Sequence, residues 1–134
     1  MSFRGRLKKT TQISKQKGLK VMLKPHIWLR DRSDGKWRSD ITMSSAEHWQ
    51  SWFESYRTFI LHYAKLAEEI QIEALCIGTE LHQTVKQKPD QWREIISEIR
   101  EVYSGDLTYA GTWYEEFEDV TFWDALDLIG VQAY

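Results

Sequence analysis

The segment Ala74-Leu75-Cys76-Ile77-Gly78-Thr79 is a continuous apolar run that ends in a carboxylate, Glu80. A strand with one wet face alternates apolar and polar residues, whereas a continuous run signals a strand covered on both faces, as in parallel sheets flanked by helices. The flanking sequence supplies those helices. From Ser44 onward, Trp49, Trp52, Phe53, Tyr56, Phe59, Ile60, Tyr63, Ala67 and Ile70 recur at three- and four-residue steps, one broad face of a long helix. Ser44 and Glu47 have the spacing of a capping box at its start. On the other side Pro89 opens a helix with Trp92, Ile95, Ile96, Ile99, Val102 and Tyr103 on one face, and Gly105 closes it.

The rest of the chain repeats the pattern. Lys20 to Trp28 is β-rich, announced by Gly18 and broken near its end by Pro25, and Leu7 to Lys17 before it is polar and weakly helical. Leu29 to Met43 is polar and reads as a long loop, of the kind that often carries function. Leu107 to Trp113 and Leu128 to Tyr134 are further strands. Between them the acidic run Glu115, Glu116, Glu118 and Asp119 reads as a solvated loop, and a brief helix is expected around Phe122, Trp123 and Leu126. Helix and strand therefore alternate four times, which implies an α/β fold with parallel strands joined by right-handed crossovers. That order suits either a doubly wound open sheet or part of an eight-stranded barrel. No glycine-rich phosphate loop follows any strand, which weighs against a nucleotide-binding sheet.

Composition narrows the function. With 134 residues, 42% of them apolar and 28% charged, residues 1–134 suffice for one domain. The net charge of −2 gives no electrostatic footprint for nucleic acid. No apolar stretch reaches the roughly 18 residues of a membrane span. A single cysteine, Cys76, excludes an internal disulfide and a cysteine-built metal site, and within an apolar strand it reads as core. Met1-Ser2-Phe3-Arg4 has no apolar signal core, and no compartment is assigned. Aromatic residues make up 13%, including seven Trp, more than a small core needs, so some rings are expected at a surface where they can stack on sugars.

Parallel α/β folds bind ligands at the C-terminal ends of their strands. Those ends carry His26 and Trp28, Thr79 and Glu80, Trp113 and Tyr114, and Gln132 and Tyr134. Glu80 stands out: a lone carboxylate closing an apolar strand sits at a rim where burial can tune it as a general acid, although a solvated loop acid or helix cap has the same local pattern. His26 fits a site or a hydrogen-bonded structural role equally. Trp28, Trp37 and Trp113 lie at or beyond strand ends and could stack on sugar rings. Trp49, Trp52 and Trp92 lie on helical stripes and read as core, and Trp123 fits either role. A metal site built from His26, Glu80 and His82 matches no strong ligand spacing, so no metal and no cofactor is expected.

The segments Lys24-Pro25-His26-Ile27-Trp28, Ile77-Gly78-Thr79-Glu80-Leu81, Leu107-Thr108-Tyr109-Ala110, Phe122-Trp123-Asp124-Ala125-Leu126-Asp127 and Ile129-Gly130-Val131-Gln132-Ala133-Tyr134 resemble, in order, glycoside hydrolase family 113. This is a (β/α)8-barrel family associated with endo-β-mannanase activity. The resemblance runs from about Lys20 to Tyr134 and implies strands three to six of the barrel, a partial TIM barrel of four parallel strands. It implies that Glu80 is the general acid/base of a retaining mechanism, and that His26, Trp28, Trp113 and Tyr134 line the substrate cleft, with Trp37 a further candidate. A retaining pair needs two carboxylates roughly 5 to 5.5 Å apart, and in such barrels the nucleophile is a Glu closing strand seven, for which this sequence has no counterpart. A barrel of this type takes about 250 residues, so the chain resembles the middle of a longer enzyme and is expected to be inactive by itself. Where the family resemblance implies an Asn before Trp113, this sequence has Thr112.

Two functions compete on these grounds. One is hydrolysis of β-linked polysaccharide, of the mannan type by the family resemblance, and the other a non-catalytic carbohydrate-binding or remnant domain that keeps the rings without the chemistry. Four parallel strands without closure also expose two sheet edges, and self-association is expected.

Overall fold

The computed structural model describes all 134 residues and contains a four-stranded, wholly parallel sheet in sequential order. The strands are β1 (Met22–Leu23), β2 (Ala74–Thr79), β3 (Asp106–Thr112) and β4 (Leu128–Gln132). The helices are α1 (Phe3–Gln16), α2 (Ala46–Ile70), α3 (His82–Gln87), α4 (Pro89–Val102) and α5 (Glu116–Asp119), with 3-10 turns at Arg38–Asp40 and Trp123–Ala125. Strands laid side by side in chain order, each returning through helical structure, form the arc that neighbouring units of a (β/α)8 barrel make. The doubly wound alternative, in which the strand order reverses at a switch point, is excluded by this order.

Several expectations need correction. The first strand is far shorter than Lys20 to Trp28. Pairing stops after Leu23↔Leu75, because β1 has only one neighbour and Pro25 has no N–H to extend the ladder. The cap of α2 is Ser45, not Ser44: its side chain accepts from the His48 N–H at 3.1 Å, while the Ser44 hydroxyl lies 3.3 Å from His48 Nδ1. The one-turn helix α3 was not expected. It stops at Lys88, whose backbone (φ −133°, ψ 53°) is outside the helical region that a following proline disfavours. The acidic run is only partly solvated: Glu115 and Glu118 are exposed, but Glu116 opens α5 and is completely buried.

One core holds the sheet to its helices. The apolar faces of α2 and α4, expected from their period, bring Phe53, Tyr56, Ile60, Trp92, Ile95 and Ile99 onto Leu75, Ile77, Leu107 and Tyr109. Trp92 is at the centre, with the rings of Phe53, Tyr56, Tyr109 and Phe122 within 5.2 to 6.2 Å of it. Trp49 is buried as expected, while Trp52 is half-buried and stacks on Tyr56. Gly78 admits this ring cluster to the sheet, because a Cβ there would stand 2.9 Å from both Trp92 and Tyr109. Buried hydroxyls are satisfied: Tyr56 donates to the Ile77 carbonyl and Tyr103 to that of Ile72, each at 2.6 Å. Burial pushes both phenols well above their ordinary range, so they stay protonated.

One irregularity matters for the rim. Between Cys76↔Thr108 and Thr79↔Ala110, β2 advances three residues while β3 advances two, so β2 carries a bulge just before Glu80. At the far edge, Leu128, Ile129 and Val131 of β4 remain exposed.

Candidate active site

Glu80 follows β2 directly, with its N–H donating to the Ala110 carbonyl of β3 at 2.9 Å. Its φ of 52° is left-handed, a conformation that costs a non-glycine residue about 1–2 kcal/mol and that clusters at functional sites. The turn holds the carboxylate almost out of solvent, with Glu80 only 8% exposed.

Two side chains from the long loop after β1 meet this carboxylate. Arg38 Nη2 donates to Glu80 Oε2 at 2.8 Å, and the Trp37 indole Nε1–H donates to the same oxygen at 2.9 Å. The loop reaches the rim because the 3-10 turn Arg38–Asp40 is closed by Asp40, whose carboxylate accepts the Trp37 N–H at 2.8 Å. Arg38 is buried, and its Cζ lies 5.0 Å from the Trp28 ring and 5.1 Å from the Trp37 ring. Those two indoles meet edge to face at 5.1 Å. Guanidinium stacked on aromatic faces adds cation–π attraction to the ion pair and dries it.

His26 joins through the other fork nitrogen, with Arg38 Nη1 at 3.1 Å from His26 Nδ1. Arginine only donates, so Nδ1 must be the lone-pair nitrogen and the ring proton sits on Nε2. Desolvation, followed by the positive charges of Arg38 and Lys24, holds the imidazole below its ordinary pKa, consistent with that neutral tautomer.

A second buried carboxylate lies behind the site. Glu116 Oε2 accepts from the Tyr109 hydroxyl, and Glu116 Oε1 accepts the Thr112 N–H at 3.1 Å. Desolvation pushes its carboxyl up, and although these hydrogen bonds oppose the shift, the nearby charge of Glu80 adds to it. Tyr109 Oη in turn accepts the N–H of Leu81, the residue after Glu80, at 2.7 Å. Beside them His82, the first residue of α3, has its Nε2 2.7 Å from Asp119 Oδ2 of α5, so it pairs with α5 rather than forming a cluster with His26 and Glu80.

Comparison with known proteins decides the family. The family model for Glycoside Hydrolase Family 113 matches residues 5–134. The chain belongs to glycoside hydrolase family 113. Among solved structures, two of a GH113 β-1,4-mannanase, one of them a complex, are each 37% identical over 100% of this chain, with TM-scores of 0.85 and 0.84. The GH113 β-mannanase of Alicyclobacillus acidocaldarius is 34% identical over 98% of the chain, with a TM-score of 0.88. The chain spans 42–43% of the length of these structures. No match is found among the curated proteins.

On this GH113 framework the expected site residues form two groups. His26, Trp28, Trp37 and Glu80 are joined into one constellation through Arg38. Trp113 and Tyr134 gather instead around Gln132 of β4. The Trp113 N–H donates to the Gln132 carbonyl at 3.2 Å, and the Gln132 side-chain amide donates to the Tyr134 hydroxyl at 2.9 Å. Lys24 bridges from the β1 side by donating to Gln132 Oε1 at 2.8 Å. Glu80 hydrogen-bonds to neither Trp113 nor Tyr134, and Trp113 packs edge to face on Tyr114. Trp123 is half-buried, with its indole donating to the Phe117 carbonyl.

Sequence reasoning misses Arg38 and Tyr109, and offers Glu116, together with Glu115, only as a conceivable second acid that nothing places opposite Glu80. Arg38 is one of several cations in a polar loop, and only its place directly after Trp37 hints at a role. For Glu116 a local signal existed: Thr112 and Glu116 bond reciprocally, with the Glu116 N–H donating to Thr112 Oγ1 at 3.3 Å, in the manner of a helix-capping pair.

Proposed function

We propose that this GH113 chain carries the acid/base half of a retaining site that cleaves β-1,4-linked mannan, with Glu80 as general acid and then general base. The observation that carries this reading is the asymmetry of Glu80. Both donors, Trp37 and Arg38, fall on Oε2, so one oxygen is anchored while Oε1 is left for the glycosidic oxygen. In the first step Glu80 gives its proton to the leaving sugar's oxygen. In the second it takes a proton from the water that resolves the glycosyl-enzyme. Trp28 and Trp113, more than half exposed at the same sheet end, offer flat faces to the sugar rings, and His26 and Tyr134 complete the proposed cleft.

The nucleophile of the pair has no counterpart in these residues. Glu116 is the other buried carboxylate, and both its oxygens are occupied by Tyr109 and Thr112. The chain by itself is therefore proposed to bind mannan-type sugar without turning it over. The β-mannanases that it resembles at 34–37% identity support the substrate class.

Hydrolysis of β-1,4-mannooligosaccharides by the full protein that its gene encodes, with Glu or Gln at position 80, tests the assignment. Glu80→Gln should lower kcat by about 10²–10⁴-fold, the usual contribution of a general acid/base. Turnover unchanged by the substitution overturns it. Sugar binding without turnover in either form favours a non-catalytic binding domain.

A further inference from the structure

We propose that Glu116, acting through Tyr109, is a positioning residue for Glu80: it fixes the turn that aims the Glu80 carboxylate at Trp37 and Arg38. The inference rests on the assignment of Glu80 above only for its functional consequence. Its geometry stands independently.

The Tyr109 hydroxyl has one proton and two lone pairs. Glu116 Oε2 takes the proton, which turns a lone pair toward the Leu81 N–H, 2.7 Å away. Glu80 is thereby held from β3 through the peptide groups on both its sides, because its own N–H is bound by the Ala110 carbonyl and the next N–H, that of Leu81, by Tyr109. Leu81, Tyr109 and Glu116 are essentially inaccessible to solvent, so water cannot replace a lost partner. A carboxylate is needed at position 116 because both its oxygens must accept, one from Tyr109 and one from the Thr112 N–H. A glutamine of the same shape presents a donor to one of them. A buried charge is costly where apolar side chains would pack as well. Its presence beneath a left-handed glutamate is explained by the orientation that it imposes.

Two substitutions interrupt this chain with little change of shape, Glu116→Gln and Tyr109→Phe. Two N–H groups report on it: the Leu81 amide directly, and the Trp37 indole through its bond to Glu80 Oε2. Hydrogen exchange followed by NMR should speed about tenfold at both groups in either variant, the effect of losing one buried hydrogen bond. The Val21 amide, bonded to Glu73 Oε2 at the far end of the sheet, should keep its wild-type rate. A residue that served stability alone would change all three together or none. Unchanged rates at Leu81 and Trp37 in folded variants overturn the proposal, and so does a change at Leu81 that does not reach Trp37. Should Glu116→Gln fail to fold, Tyr109→Phe alone decides. Turnover of mannooligosaccharide by the full protein separates the two readings. If Glu80→Gln leaves turnover intact, the acid/base assignment fails while the exchange rates still decide the positioning role.

Discussion

Arg38 and Glu80, 42 residues apart in the chain, meet at 2.8 Å with side chains only 4% and 10% exposed. Such a pair contributes modest net stability, because both ions lose their hydration, but removing one partner strands the other. Arg38→Ala is therefore expected to destabilise the fold by about 3–5 kcal/mol, measured by urea unfolding. Pairing it with Glu80→Gln should cost clearly less than the sum of the single changes, because the stranded charge is gone.

Glu116 gives the protein a pH signature. Its folded pKa is raised by desolvation above the ordinary 4.5, so folding favours the protonated form. That contribution is fully present below the unfolded value and is lost as pH rises through the folded one. Between these two points the urea midpoint of the wild type should fall with pH relative to Glu116→Gln, which has no such group. Parallel slopes in the two proteins would show that Glu116 titrates normally.

Much of this could be read from the sequence, and the boundary has a physical reason. The α2 and α4 faces and the β2 run follow from periodicity, because burial along one element leaves a trace in that element alone. Glu80 was legible for the same reason, as a carboxylate ending an apolar strand. Arg38 and Glu116 were not, since each is defined by a partner elsewhere. Arg38 gains its meaning from His26 and Glu80, and Glu116 sits in an acidic run that looks solvated until Tyr109 of β3 is beneath it. Trp37 was anticipated as a sugar-stacking ring, and the structure adds that its N–H binds the proposed acid.

The short first strand depends on a side chain. Glu73 Oε2 accepts the Val21 N–H at 2.7 Å, a bond that holds the Glu73 carboxyl below its usual range. Glu73→Ala should cost about 1–2 kcal/mol and speed amide exchange at Val21 and Met22 before any other part of the sheet. Uniform acceleration across all four strands would contradict a local tether.

Gly78 predicts a packing penalty. Alanine there would press on Trp92 and Tyr109, both buried and hemmed in by other rings, so Gly78→Ala should destabilise by about 1–3 kcal/mol. A thermal midpoint equal to that of the wild type would mean that the ring cluster yields easily.

The outer edge of the sheet should make the isolated chain associate. Leu128, Ile129 and Val131 leave an apolar strip on a strand with one free side, and Ile129→Lys should lower the association seen by sedimentation as concentration rises. A chain that stays monomeric at high concentration removes this expectation.

The extra residue that β2 carries between Cys76 and Thr79 acts as a phase shifter. Side chains on a strand change sides at every step, so deleting one residue of that bulge would swing position 80 to the opposite side of the sheet. The carboxylate would then turn away from Trp37 and Arg38 with every residue of the candidate site still present. Length in this short stretch thus constrains descendants of the sequence as tightly as the identity of the acid, and a single-codon loss there would silence the proposed chemistry without touching Glu80.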